Sequence, residues 1–183
     1  MPGFAEELLS RFRWIGGHAD VLWLLSDAGF LDRSVAALAE PFESEGVTKV
    51  AGVEARGFVF GAAVATRLGA GFVPVRKPGS IHPGPKAVHV SEPDWRGRSL
   101  AYELQRAALA DDDRVLLVDD WAETGSQALA ARALIEECGA TWAGVSLLVD
   151  QLPEEVRSRL EPVRAVVRSE QLPPNPGWAT RWQ

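Results

Sequence analysis

The sequence has little of what marks export, membrane insertion or metal binding. Its single cysteine, Cys138, leaves no intramolecular disulfide and no thiolate cluster for a metal, and it reads as a small apolar filler on a helix. The three histidines, His18, His82 and His89, lie on dissimilar segments without ligand spacing, so they read as surface or lid residues rather than a transition-metal site. No run approaches the roughly 20 apolar residues that span a bilayer. Glu6 and Glu7 stand where an export signal carries cations, so a cytoplasmic protein without membrane contact is expected. Positive charge is also short: 19 Lys and Arg against 25 Asp and Glu give a formal charge of -6, which argues against general nucleic-acid binding. An anionic ligand must therefore meet local cations or backbone N–H groups. Repeats and low-complexity tracts are absent, and periodicity carries the fold.

What is present is apolar material: 46% of 183 residues, enough for one domain with a substantial core. Seven tryptophans suit core or interface burial, with Trp14, Trp95 and Trp121 held back for ligand stacking. Helix-like spacing covers 4–12, 19–28 and 34–43. Valine-rich runs at 49–53, 71–75, 114–118, 143–149 and 163–167 then alternate with helical stretches at 58–68, 126–138 and 154–160. Runs that are apolar throughout are buried on both faces, so the expected fold class is α/β, a single domain with a central, mostly parallel sheet flanked by helices. The chain divides into an N-terminal helical segment and hood (1–45), the core (46–170) and a tail (171–183) that packs over a surface or a partner subunit. Little periodicity shows in 77–113, which reads as a flexible lid. The loops after Val53, Val75 and Val118 should share one sheet edge, where ligands bind.

The densest polar signal is Val115-Leu116-Leu117-Val118-Asp119-Asp120-Trp121-Ala122-Glu123-Thr124-Gly125-Ser126, an apolar strand, two acids and a tight turn into a helix. Such a turn converges backbone N–H groups and the positive end of the helix dipole, which suits a phosphate. Thr124 and Ser126 add hydroxyl donors. Adjacent acids repel a lone phosphate but suit a sugar whose hydroxyls need acceptors, so the pattern points to a ribose 5-phosphate. The plainer reading is an acidic strand end with an ordinary Ser/Thr helix cap. Val50-Ala51-Gly52-Val53-Glu54-Ala55-Arg56-Gly57-Phe58 is again strand, turn and helix. Taken singly, Arg56 and Lys77 read as surface charges.

With Gly69-Ala70-Gly71-Phe72-Val73-Pro74-Val75-Arg76-Lys77-Pro78-Gly79, these elements resemble the type I phosphoribosyltransferases, and within them most closely the adenine phosphoribosyltransferases, over 50–79 and 114–138. The resemblance implies that Asp119 and Asp120 contact the ribose hydroxyls while Ala122, Glu123, Thr124, Gly125, Ser126 and Gln127 wrap the 5′-phosphate. It also implies that Glu54, Ala55, Arg56 and Gly57 form a pyrophosphate loop, with Arg56 as its cation, and that Lys77 reaches pyrophosphate, in one arrangement across a homodimer interface. Mg2+ is implied alongside 5-phosphoribosyl-1-pyrophosphate as co-substrate. It would be held by substrate oxygens and water, with Asp119 and Asp120 as outer partners and no direct protein ligand. The sequence departs from the family at Glu123, where a small residue is common, and at Ser126, where a second glycine is frequent; both are compatible with phosphate if Glu123 faces solvent. Ser80-Ile81-His82-Pro83-Gly84 stands where the family often carries another lysine.

In the lid, Glu92 or Asp94 is the candidate acid, Arg96 or Arg98 a replacement cation and Trp95 a cover. Phe12-Arg13-Trp14-Ile15 is similar to the family's base-binding Phe-Arg-Asp-Ile segment: Phe12 packs on the base, Arg13 presents its backbone and Trp14 replaces the acid. The implied activity is phosphoribosyl transfer to a purine base, adenine favoured, giving the nucleoside 5′-monophosphate and pyrophosphate. A different or specialised heterocyclic base, and a non-catalytic donor-binding regulator, remain as alternatives. For the regulator, the sequence offers neither a winged-helix-sized segment nor a basic stripe.

Overall fold

The computed structural model describes residues 3–79, 83–94, 96–175 and 177. His82, Trp95, Trp178 and Trp182, to which the sequence attaches expectations, lie outside the described residues. From the N-terminus, α1 (Phe4–Arg11) leads into a hairpin of β1 (Trp14–Ile15) and β2 (His18–Ala19), a 3-10 turn at Leu22–Ser26, and α2 (Ala28–Ala39). There follow β3 (Lys49–Val53), α3 (Arg56–Leu68) and β4 (Gly71–Val75), then a second hairpin of β5 (Lys86–Val90) and β6 (Ala101–Gln105). The chain continues through β7 (Arg114–Ala122), α4 (Ser126–Glu137), β8 (Thr141–Asp150), α5 (Glu154–Leu160) and β9 (Val163–Arg168).

The five longer runs make one sheet in the order β4-β3-β7-β8-β9, with every pair parallel. Val50, Ala51, Leu116, Leu117 and Val118 are buried between two layers, as strands apolar on both faces require. Leu8, Phe30, Leu38, Phe60 and Val64 of α1, α2 and α3 cover one face; Leu134 and Ile135 of α4, with Tyr102 and Leu104 of β6, cover the other. From β3 the chain steps outward to β4, and from β7 it steps the opposite way to β8 and β9. The crevice between the carboxyl ends of β3 and β7 is thus the topological switch point of the sheet. Close packing there depends on glycine: a Cβ on Gly52 would stand 2.1 Å from the Gly57 carbonyl oxygen. No helix among the described residues is long and apolar enough to cross a membrane.

Three expectations change. The helices at 19–28 and 34–43 are replaced by β2, the 3-10 turn and α2, because the Asp27 carboxylate accepts the Phe30 N–H at 3.1 Å and caps a helix that starts at Ala28. The aperiodic stretch 77–113 contains an antiparallel hairpin, β5 against β6, packed on α4 through Ala87, Tyr102 and Leu104. Finally, β7 does not stop at Val118 but pairs with β8 as far as Ala122, so both acids lie within the strand. The described part of the tail packs over the N-terminal hairpin: Trp14 Nε1 donates to the Pro173 carbonyl at 2.8 Å and Asn175 Nδ2 to the Gly17 carbonyl at 3.1 Å.

Candidate active site

Beyond β7 the chain turns sharply into α4. Gly125 makes that turn with φ 73°, and a Cβ there would stand 2.5 Å from Val156 and 2.8 Å from Leu152, so both backbone and packing demand glycine. Thr124 Oγ1 donates to Ser126 Oγ at 3.1 Å. The turn borders a cavity of about 110 Å³ into which Asp119 and Arg56 also face. Its wall combines helix-terminal N–H groups, two hydroxyls and a guanidinium, donors suited to an anion, with the acidic residues Asp94, Asp119 and Glu123 also lining it.

Asp120 is 1% exposed and Asp119 half-buried, with Asp119 Oδ1 accepting the Asp120 backbone N–H at 2.9 Å. Arg56, at the start of α3, brings Nε to 3.1 Å from Asp120 Oδ2, close enough for ion pairing. The N–H is not aligned on that oxygen, and Oδ2 has no hydrogen-bond partner among the described residues. Burial raises the pKa of both carboxyls; at Asp119 the neighbouring Asp120 charge raises it further, while Arg56 opposes the shift at both. The Glu54–Ala55 peptide preceding Arg56 is cis. The Glu54 carboxylate accepts the Lys77 N–H at 3.1 Å and lies 3.5 Å from Arg76 Nε, tying the loop after β3 to the end of β4.

A larger cleft of about 600 Å³ adjoins this cavity and brings Arg56 and Lys77 of one chain together with Trp14, Trp121, Asp94 and Arg96. Asp94 shapes the lid turn: its carboxylate accepts the N–H groups of Arg98 at 2.9 Å and Arg96 at 2.8 Å, and these bonds lower its pKa. Glu123 is exposed at the cleft wall, where partial desolvation by the surrounding wall, then the charge of Asp94, raise its pKa. The Tyr102 phenol, also in the wall, is pushed up to about 12 by burial and by Asp94 and Asp119.

Of the hood residues, Trp14 lines the cleft while Phe12 is buried beneath it, 5.0 Å from Trp14 and 6.2 Å from Trp121 between ring centroids. Arg13 sends its guanidinium to Asp20 at 2.8 Å and over the Trp23 ring at 4.0 Å, and its carbonyl accepts the Asp20 N–H. Of the two acids expected in the lid, Glu92 pairs with Arg159 at 2.9 Å and is not part of the cleft wall, whereas Asp94 lines it. The wall also includes His18, Gln151 and Asn175, which the sequence did not single out as ligand-binding. For Gln151 a signal existed: it directly follows a buried parallel strand, at the same edge as the other loops.

Residues 29–180 match the phosphoribosyl transferase domain family. The chain belongs to this family. The adenine phosphoribosyltransferase of Streptomyces coelicolor is 41% identical over 170 residues, covering 89% of this chain and 92% of that one. The enzyme of the same name from Streptomyces clavuligerus is 38% identical over 177 residues, covering 92% and 98%. Among solved structures, the adenine phosphoribosyltransferase of Rhodothermus marinus is similar with a TM-score of 0.80 at 31% identity, over 90% of this chain and 98% of that one. The Giardia lamblia enzyme complexed with 9-deazaadenine gives 0.81 at 27% identity, over 90% and 97%. The parallel five-stranded sheet with helices on both faces is thus a phosphoribosyltransferase fold.

Proposed function

We propose that this phosphoribosyltransferase transfers the phosphoribosyl group of 5-phosphoribosyl-1-pyrophosphate to a ring nitrogen of adenine, giving the nucleoside 5′-monophosphate and pyrophosphate. The observation that carries the reading is the pair of adjoining cavities in which the turn into α4, the strand-borne Asp119 with Asp120 buried behind it, two cations and an aromatic wall meet. Relatives named for adenine support the acceptor.

In this reading the 5′-phosphate rests on the turn 122–127, taking N–H groups at the start of α4 and the hydroxyls of Thr124 and Ser126. Asp119 and Asp120 accept hydrogen bonds from the ribose hydroxyls. Arg56 and Lys77 face the pyrophosphate, whose departure takes the electron pair of the C1–O bond and leaves an oxocarbenium-like sugar. The base nitrogen supplies the new bond and then loses its proton. Stabilisation of the departing charge by fixed cations, together with positioning, does most of the work, and no covalent nucleophile is needed. The lid turn at Asp94, Arg96 and Arg98 covers the cleft against water, which would otherwise capture the sugar.

Magnesium fits this donor set. The acids offer hard oxygens, Asp120 Oδ2 is a buried acceptor without a hydrogen bond, and no group of three His, Cys, Asp or Glu suited to a metal exists among the described residues. A cation here would therefore take most of its ligands from the donor and water, with Asp119 and Asp120 beside it. When bound it would neutralise pyrophosphate charge. A highly charged donor does not cross membranes unaided, which favours a cytoplasmic reaction, and the family resemblance favours a homodimer, which sedimentation tests.

The deciding experiment is pyrophosphate release with saturating donor and magnesium across adenine, hypoxanthine, guanine and purine analogues. Adenine should be turned over in preference to the others. Turnover of an analogue alone would make this a specialised pathway enzyme, and tight donor binding with no release from any base would replace catalysis by donor-dependent regulation.

A further inference from the structure

The cleft wall contains several polar side chains to which the reaction above gives no role, His18, Tyr102, Asn175 and Gln151 among them, and the orientation of Gln151 is fixed by its neighbours. Gln151 directly follows β8, and its N–H extends the β7–β8 ladder by donating to the Ala122 carbonyl at 2.9 Å. Beside it, Asp150 is 2% exposed, accepts the Leu152 N–H at 2.9 Å and pairs with Arg157 Nε at 3.0 Å, so the backbone carrying Gln151 is fixed on both sides. The side chain is oriented as well. Trp121 Nε1 lies 2.8 Å from Gln151 Oε1, and an indole N–H can only donate, so the amide must turn its oxygen to the tryptophan. The Nε2 donors have no partner among the described residues.

Neighbouring polar groups are already committed. Trp14 Nε1 donates to the Pro173 carbonyl at 2.8 Å, while Asn175 donates to the Gly17 carbonyl at 3.1 Å and accepts the Gly177 N–H at 2.9 Å. Trp14 and Trp121 have ring centroids 5.9 Å apart at 63°. A ring inserted between them would need about 7 Å, two carbon contacts of roughly 3.5 Å, so a flat base lies across these rings rather than between them. An indole N–H points outward in the ring plane. A base resting on Trp121 therefore has the Gln151 amide at its edge.

We propose that Gln151 is a specificity residue for the acceptor: oriented by Trp121, it offers N–H donors to the base edge and selects a heterocycle with an acceptor nitrogen or oxygen there. The inference rests on the cleft being the base site. Its test is calorimetric affinity for adenine and for 1-deaza-, 3-deaza- and 7-deazaadenine, each of which replaces one acceptor nitrogen by C–H, in wild type, Gln151→Met and Trp121→Phe. Wild type should lose about three- to tenfold on one analogue, the scale of one net hydrogen bond from a side chain exposed at the cleft wall. Gln151→Met should bind adenine and that analogue alike, and Trp121→Phe, which frees the amide to turn, should lose part of the discrimination. Donor affinity measured alongside separates a local change from a loss of fold. The same ratios in wild type and Gln151→Met for all three analogues overturn the inference, and the transfer reaction still stands if adenine releases pyrophosphate. Failure of every base to bind wild type overturns both.

Discussion

The proposed donor end of the cleft stands on β7, the start of α3 and the turn into α4, whereas the proposed acceptor end adds to Trp121 of β7 and Gln151 after β8 a frame of two-residue strands, a lid turn and a tail. Asp119 and Asp120 belong to β7, nine residues long and paired with β8 as far as Ala122, just beyond the stretch that also pairs with β3, and Arg56 starts a helix whose Gly57 packs against Gly52. At the other end, β1 and β2 span two residues each, and Trp14 and Gly17 are held by single bonds from the tail. Charged groups that must meet developing charge gain most from a rigid, buried setting, because misplacement there costs rate directly. Contacts that choose between flat rings tolerate a looser frame. Sequence drift should therefore cost less in the hood than in β7: the departure from the family at Trp14 falls on a two-residue strand, and those at Glu123 and Ser126 fall in the turn beyond β7 rather than within it.

The largest expected effect tests the rigid end. Asp120→Asn should lower kcat/KM by roughly 100-fold or more, the scale of removing one preorganised polar group at a reacting centre, while the circular dichroism spectrum stays native. Asp119→Asn should act in the same direction. Full activity in both variants would dissolve the contrast between the two ends, since the best-packed acids would then be idle. Next in size come Arg56→Ala and Lys77→Ala, each expected to weaken pyrophosphate by about 10- to 100-fold, the value of a charge-assisted hydrogen bond, and ribose 5-phosphate by much less. Arg56→Ala also strips Asp120 of its nearby cation. Equal losses for both ligands would mean that the cations hold the fold of the site rather than one end of the donor.

The same contrast governs how much could be read from the sequence. The acids, the phosphate turn and Arg56-Gly57 were legible because each is a local pattern, an apolar strand followed at once by polar residues and a helix. The β5–β6 hairpin was not, because Val88 and Val90 are 52% and 62% exposed while Ala87 is buried, so apolar residues occupy both faces and the period of two disappears. The place of Gln151 after a buried strand marks it as lying at the ligand edge, but its meeting with Trp121 and that of Asn175 with Gly17 join residues 30 and 158 apart, and no local pattern reports such a meeting. Glu92 was one of two candidates for the lid acid, yet tertiary approach hands its side chain to Arg159; Arg13 was expected to present only its backbone, and its side chain goes to Asp20.

A smaller effect tests the looser end. Trp14→Ala removes an aromatic wall and its bond to the tail, and should raise the adenine KM by about tenfold, the scale of one aromatic contact plus its hydrogen bond, with little change in the donor KM. A donor KM raised by the same factor would join the two ends into one cooperative unit.

The smallest expected effect is on stability, and it sharpens the comparison by giving the rigid end a cost. Burial and the charge of Asp120 raise the Asp119 carboxyl pKa above its ordinary value near 4. Between the ordinary and the raised pKa the folded chain holds a proton that the unfolded chain has released. The contribution of this group is therefore most favourable below the ordinary carboxylate pKa and is lost as pH rises through the folded value. Asparagine has no such ionisation. Asp119→Asn should thus melt a few degrees above wild type near neutral pH, and the gap should close as pH falls into the ordinary carboxylate range. Carboxylates with lowered pKa, such as Asp94 and Asp113, favour the folded state at higher pH, but they are common to both proteins and cancel in the difference. Asp120 does not cancel: burial raises its pKa while Arg56 and its hydrogen bond with Asp119 lower it, so replacing Asp119 changes the titration of Asp120 as well and the effect belongs to the pair. Melting temperatures that run parallel across this pH range would show that the acids carry no ionisation cost. A gap that opens with rising pH, in the variant that has also lost turnover, would show that this site gives up stability to keep two carboxylates together.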